Sequence, residues 1–148
     1  MYSVEKHAGR LIEVKLASPL TLDEVQQFAE KHLAVMRQIP VKYIGVVNML
    51  DAHVFEPAVA KMLSQLLTVA ASHVERSAFL IGESAIFSLQ VERVIRESNS
   101  PNRRAFRNGR DLVAWVSEIL TPPEQIELER FIREAMMEAP KPGRAVSV

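Results

Sequence analysis

Asp51 and His53 are the residues whose types and spacing most readily suggest chemistry. They lie two positions apart in VVNMLDAHVFEPAVAKML, residues 46–63, where a β-branched run turns into an amphipathic stretch. An exposed histidine titrates near neutral pH, so it can contact a ligand or respond to pH. Glu56 follows in the same turn, and Ser84 lies in a Gly-Glu-Ser turn further along. If the strands are parallel, these turns meet where open α/β sheets bind ligands. The candidate contact residues for a ligand or partner are therefore Asp51, His53, Glu56 and Ser84.

Each of these residues also has a structural role open to it. Asp51 can cap the following helix, and Glu56 near the helix start is favoured by the helix dipole. Ser84 is a suitable N-cap for the next helix. His53 can equally be a plain surface histidine.

Assembled catalytic and metal-binding motifs are absent from the sequence. There is no Gly-x-Ser-x-Gly elbow, no phosphate-binding glycine loop and no cysteine. The four histidines stand apart, without the spacing that places two metal ligands on one helical face. We therefore expect a protein that is not an enzyme and that has neither a cofactor nor a metal.

A cluster of six arginines is the one charge feature above background. Within residues 93–110 they are opposed by a single acid, Glu97. Such a face can bind an acidic protein, a phosphate-bearing ligand or membrane headgroups, and the alternative is a solvated rim balanced by acids from elsewhere. The predicted basic face consists of Arg93, Arg96, Arg103, Arg104, Arg107 and Arg110.

Length and composition predict one soluble domain. The chain has 148 residues, 48% of them hydrophobic, and its 18 basic residues balance 18 acidic ones. A neutral chain does not favour nucleic acid as a partner. The charged start lacks the apolar core of a signal peptide, and no apolar run is long enough to cross a bilayer. We expect a cytoplasmic protein.

The elements that must position these residues follow a regular order. Alternating apolar and polar residues around Ala8-Gly9 predict a hairpin, with Ile12, Val14 and Leu16 on one face of its second strand. β-branched runs then alternate with helical periodicity, and Thr21 with Glu24 forms a capping box. The order β-β-α-β-α-β-α-β-α predicts an α/β fold with a central mixed sheet of about five strands.

The C-terminal region is predicted to add one more helix. TPPEQIELERFIREAMMEA begins with a second capping box and carries an apolar strip that can pack on the domain or on a partner, for example in a homodimer. We assign residues 121–139 to this helix and residues 140–148 to a flexible tail. The apolar strip consists of Ile126, Phe131, Ile132, Ala135 and Met136.

The element order and the segment RRAFRNGRDLVAWV resemble a known family. Members of the STAS-type domain family of bacterial anti-sigma-factor antagonists, in particular its single-domain SpoIIAA-like branch, end in a similar way. The resemblance covers roughly residues 2–120, and we assign residues 1–120 to this domain. The matching positions of the closing motif are Phe106, Asn108, Asp111, Ala114 and Trp115.

The resemblance implies a regulatory role but departs from the family at its switch. Similar antagonists carry a phosphorylatable serine at the strand-to-helix joint, where this chain has Asp51-Ala52-His53-Val54. Ala52 and Val54 cannot accept a phosphoryl group. We expect a non-catalytic regulatory or adaptor module that acts by protein–protein interaction without that serine. The alternative is a protein that binds a small or lipid-like ligand, or a cryptic enzyme, at the carboxyl ends of the strands.

Overall fold

The computed structural model describes residues 1–139, which form five strands and five helices. A single 3-10 turn, Ala71–His73, follows the second helix. The tail predicted over residues 140–148 lies outside the described residues. In chain order the elements are β1 (Tyr2–Ala8), β2 (Leu11–Leu16), α1 (Leu22–Arg37), β3 (Tyr43–Asn48), α2 (Pro57–Ala70), β4 (Val74–Leu80), α3 (Ala85–Glu97), β5 (Arg103–Phe106), α4 (Gly109–Ser117) and α5 (Pro122–Glu138).

The strands form one mixed sheet in the order β1-β2-β3-β4-β5. β1 and β2 pair antiparallel, and every later pair is parallel. Gly9 makes the hairpin turn with a φ of 52°, and a side chain at this position would collide with Glu124 of α5. The predicted α/β fold with a five-stranded mixed sheet is confirmed.

Helices cover both faces of the sheet. α1, α2 and α3 are crossovers between neighbouring parallel strands, so right-handed connections place all three on one side, which we call the three-helix face. α4 and α5 cover the other side, the two-helix face. The predicted register of β2 is confirmed, since Ile12, Val14 and Leu16 lie in the core of the three-helix face and Leu11 lies in the opposite core.

α5 packs on its own domain. Leu128, Ile132 and Ala135 are buried against a sheet surface that includes Leu11 and Ile44. Of the predicted apolar strip, Ile126 and Met136 remain exposed. No helix within residues 1–139 combines the length and apolarity needed to cross a membrane.

The helix starts agree with the sequence, and only the capping residue of α2 differs. Thr21 and Thr121 form the two predicted capping boxes, and Ser84 accepts a hydrogen bond from the backbone of Phe87. The prediction that Asp51 caps α2 is wrong. The residue at the cap is Glu56, which makes no side-chain capping bond. Four loop residues separate Asp51 from Glu56, and the helix begins on proline, which has no N–H to satisfy.

Candidate functional site

An apolar cavity lies on the three-helix face, between the sheet and the helices that cover it. Its walls include Leu16 of β2, Leu63 and Leu67 of α2, and Val91 of α3. The cavity has a volume of about 50 Å³. Since one water needs about 10–15 Å³, the cavity as it stands holds only a few waters or a narrow chain.

One end of the cavity is polar. Strand register places Gly45, Ser77 and Arg103 side by side on β3, β4 and β5, all directed toward the three-helix face. A side chain at position 45 would come within 3.1 Å of the Ser77 hydroxyl, so the glycine keeps this space open. His32 of α1 and Tyr43 of β3 line the same region. We call His32, Tyr43 and Ser77, together with the neighbouring Arg103, which is not itself a lining residue, the polar end.

Arg103 is a buried cation without a partner in the described part of the chain. Its residue is 4% exposed, and none of its guanidinium nitrogens has a hydrogen-bond partner among residues 1–139. Burial lowers the pKa of Arg103, while the Tyr43 hydroxyl opposes that shift without forming a hydrogen bond of ordinary geometry. An arginine stays charged under these conditions. An unpaired charge away from water costs several kcal/mol or more, so the polar end is electrostatically incomplete.

The two aromatic groups of the polar end are neutral at neutral pH. His32 lies edge-on between Phe28 and Tyr43, with ring centroids 5.7 and 5.4 Å away. Burial, with a contribution from the charge of Arg103, lowers the pKa of His32 to about 4. Burial raises the pKa of Tyr43 to about 12. His32 Nδ1 also lacks a hydrogen-bond partner within residues 1–139. The polar end thus offers neutral groups beside one positive charge.

The opposite end of the cavity is closed by a side chain that holds a loop. The Gln90 amide of α3 accepts from the backbone N–H of Phe55 and donates to its carbonyl, both at 2.8 Å. The Phe55 ring packs edge-on against Phe87 at 5.3 Å. Gln90 therefore fixes the loop between β3 and α2 against α3. Sequence reasoning missed this contact because it joins residues 35 positions apart.

The residues predicted as a contact site lie outside the cavity lining. The Asp51 carboxylate is 3.5 Å from Lys15 Nζ, and His53 is exposed, with its backbone N–H donating to the Ser18 hydroxyl. Glu56 and Ser84 are the N-caps of α2 and α3. Within residues 1–139, no hydrogen bond or ion pair joins any two of the four. The structure does not assemble them into one polar cluster.

The six predicted arginines do not form one face. Arg103 and Arg104 are successive residues of β5, so they point to opposite sides of the sheet. Arg104 stacks on the Trp115 ring at 5.0 Å. Arg93 pairs with Glu97 on α3 at 3.2 Å. The remaining three are exposed: Arg96, Arg107 and Arg110.

A second buried ionisable side chain lies on the two-helix face, and one of its two oxygens has a hydrogen-bond partner within residues 1–139. Glu13 of β2 is 3% exposed and accepts from Arg130 at 3.2 Å, while Arg130 also pairs with Glu127. Burial and the neighbouring carboxylate raise the pKa of Glu13, and hydrogen bonding to Arg130 lowers that of Glu127. Donor atoms of His7, Glu13 and Glu127 lie within 4.8 Å of one another, but Arg130 already supplies a cation there.

No family model and no curated protein matches this chain.

Proposed function

We propose that this protein is a non-catalytic module that binds a small apolar ligand in the cavity of the three-helix face. The observation that carries the proposal is a cavity with apolar walls that is lined by His32 and adjoined by Arg103, two side chains with buried nitrogens that lack partners within residues 1–139. Ligand sites in proteins typically combine an apolar lining with a few convergent polar groups. A cavity that existed only through loose packing would not need those groups.

The proposal includes a regulatory role and SpoIIAA-like, STAS-type ancestry. The strand order and the closing segment support this assignment: Asn108 caps α4, and Phe106 packs against Trp115 at 5.7 Å. Ala52 leaves the joint after β3 without the serine that the resemblance implies. Ligand occupancy is then the signal in place of phosphorylation, and another protein reads it.

A titration with octanol tests the binding function, because this neutral molecule probes the apolar walls alone. We expect saturable shifts of the methyl resonances of Leu63 and Val91 in NMR spectra. The blocking variant is Leu67→Trp, which fills the cavity, and the matched control is Val69→Trp, an exposed position on the same helix. Loss of the shifts in Leu67→Trp alone supports the proposal. Equal binding by wild type and both variants, or no binding by any of them, contradicts it.

A second candidate function is docking of another protein through α3. Ile86 and Leu89 are 71% and 66% exposed and share a helical stripe with Arg93 and Arg96. This arrangement favours a partner whose surface combines apolar and acidic groups, and a second copy of this chain could supply such acids. Sedimentation of wild type and of Ile86→Ser/Leu89→Ser tests self-association. A dimer that persists in the double variant contradicts docking through this stripe.

A further inference from the structure

We infer that the ligand of the cavity is an apolar molecule carrying one carboxylate, and that Arg103 and Tyr43 receive this group at the polar end. The inference rests on the proposed function and names its ligand class. It begins from the position of Arg103, whose side chain is directed toward the same face as the cavity-lining Ser77 beside it.

Acids near Arg103 in the chain and on the neighbouring strand are already engaged elsewhere. Glu97, the nearest preceding acid in the chain, accepts from Ser64 and pairs with Arg93, each at 3.2 Å. Glu75 on the neighbouring strand pairs with Arg10. No acidic side chain within residues 1–139 forms an ion pair or hydrogen bond with Arg103. The neutralising anion must therefore come from outside this part of the chain.

The polar end fits one negative charge better than two. Arg103 supplies a single positive charge, and His32 and Tyr43 are neutral at neutral pH. A dianion such as a phosphate monoester would retain an uncompensated charge in a site of low dielectric. The planar guanidinium matches the two oxygens of a carboxylate, and the Tyr43 hydroxyl can donate a further hydrogen bond.

The remaining walls define the body of the ligand. Leucine, valine and phenylalanine side chains continue from the polar end toward Phe55 and Gln90, and they offer few polar partners. A flexible aliphatic chain suits such walls, because it is narrow and can bend to follow a cavity of about 50 Å³. A linear aliphatic carboxylate can neutralise the charge of Arg103 and pack against the apolar walls.

Calorimetric titration with octanoate and octanol separates recognition of the carboxylate from recognition of the aliphatic part of the ligand. We expect wild type to bind octanoate about tenfold or more tightly than octanol, because a charge-assisted bidentate contact is added. Arg103→Met should bind both ligands alike. The matched control is Arg104→Met, which alters the adjacent arginine on the opposite side of β5 and should retain the preference.

Further variants keep the test decisive. Arg103→Lys preserves the charge but loses the planar fork, so we expect it to keep part of the preference for octanoate. Circular dichroism establishes that each variant is folded before titration. Equal binding of octanoate and octanol by wild type would overturn the role of Arg103 in binding a carboxylate, but the cavity would still be a binding site. A preference for octanoate that is retained in folded Arg103→Met would have the same meaning. Failure of both ligands to bind wild type overturns the cavity function and this inference together.

Discussion

Each face of the sheet buries one ionisable side chain, but the surroundings of the two side chains differ. On the two-helix face, Glu13 meets Arg130 and Glu127, both contributed by α5. On the three-helix face, the Arg103 side chain has no hydrogen-bond partner among residues 1–139 and lies next to Ser77, which lines a cavity. Glu13 Oε1 thus has a cationic partner, although its Oε2 has no hydrogen-bond partner within residues 1–139, whereas all three guanidinium nitrogens of Arg103 lack one and are proposed to receive an outside group. A buried charge is thus informative about function when its neighbours fail to neutralise it.

Replacing each arginine with methionine should give the largest contrast. Arg103→Met removes an unpaired buried charge, and we expect it to stabilise the ligand-free protein by about 1–4 kcal/mol. Arg130→Met leaves Glu13 and Glu127 without their cation, and we expect it to destabilise by about 1–3 kcal/mol. Urea unfolding of both variants measures the two free energies. Destabilisation of similar size in both would remove the distinction between the faces.

Acidification should lower the free energy of unfolding because His32 is buried on the three-helix face. Its pKa falls from 6.5 to about 4 on folding, so the unfolded chain binds a proton first as the pH decreases. The contribution of this group is fully present above pH 6.5 and is lost as the pH falls through about 4, by up to about 3 kcal/mol. Unfolding at a series of pH values should show a smaller loss for His32→Phe than for wild type. His53→Phe, which changes an exposed histidine, serves as the control and should behave like wild type.

Adjacent valines of β3 allow a matched test of packing. Val46 points into the two-helix core, and Val47 lines the cavity on the other face. We expect Val46→Ile to cost about 1–3 kcal/mol through overpacking, and Val47→Ile to cost less because empty space is available. Thermal unfolding compares the two variants. Equal costs would mean that the cavity cannot accept an added methylene.

The smallest expected effect concerns Glu13 as the pH rises. Its folded pKa lies above the unfolded value of 4.5, so the folded state keeps a proton that the unfolded state releases. Stability attributable to this group therefore decreases as the pH rises above 4.5 toward the folded pKa. Glu13→Gln should remove this decrease and gain roughly 1 kcal/mol at neutral pH. A pH profile identical to that of wild type would contradict the assignment of the buried proton to Glu13.

Local patterns in the sequence predict most of the fold. The alternation in β2 assigns Ile12 and Leu11 to opposite faces, and the Thr21 and Thr121 boxes mark the starts of two helices. These signals span only a few residues, so they can be recognised without knowledge of the tertiary structure. The cap of α2 is the exception, because four loop residues separate Asp51 from the capping position at Glu56.

The candidate site was harder to predict because it depends on which way single residues of β5 point. Six clustered arginines suggested one basic surface, yet Arg103 is buried and Arg104 stacks on Trp115. Because successive residues of a strand point to opposite sides, the sequence could in principle have assigned Arg103 and Arg104 to different faces. The strand is too short to show which face is apolar. The burial of Glu13 is likewise invisible in the sequence, since Arg130 reaches it from 117 positions away.

The most direct test of the central claim is the NMR signal of the Arg103 guanidinium in isotope-labelled protein. Comparison with Arg103→Met assigns its Nε–H resonance. If Arg103 receives the carboxylate, octanoate should shift this resonance downfield and slow its exchange with water, whereas octanol should shift only the cavity methyl groups. A guanidinium resonance that stays unchanged while octanoate shifts those methyl groups would contradict the role of Arg103 as the receptor of the carboxylate.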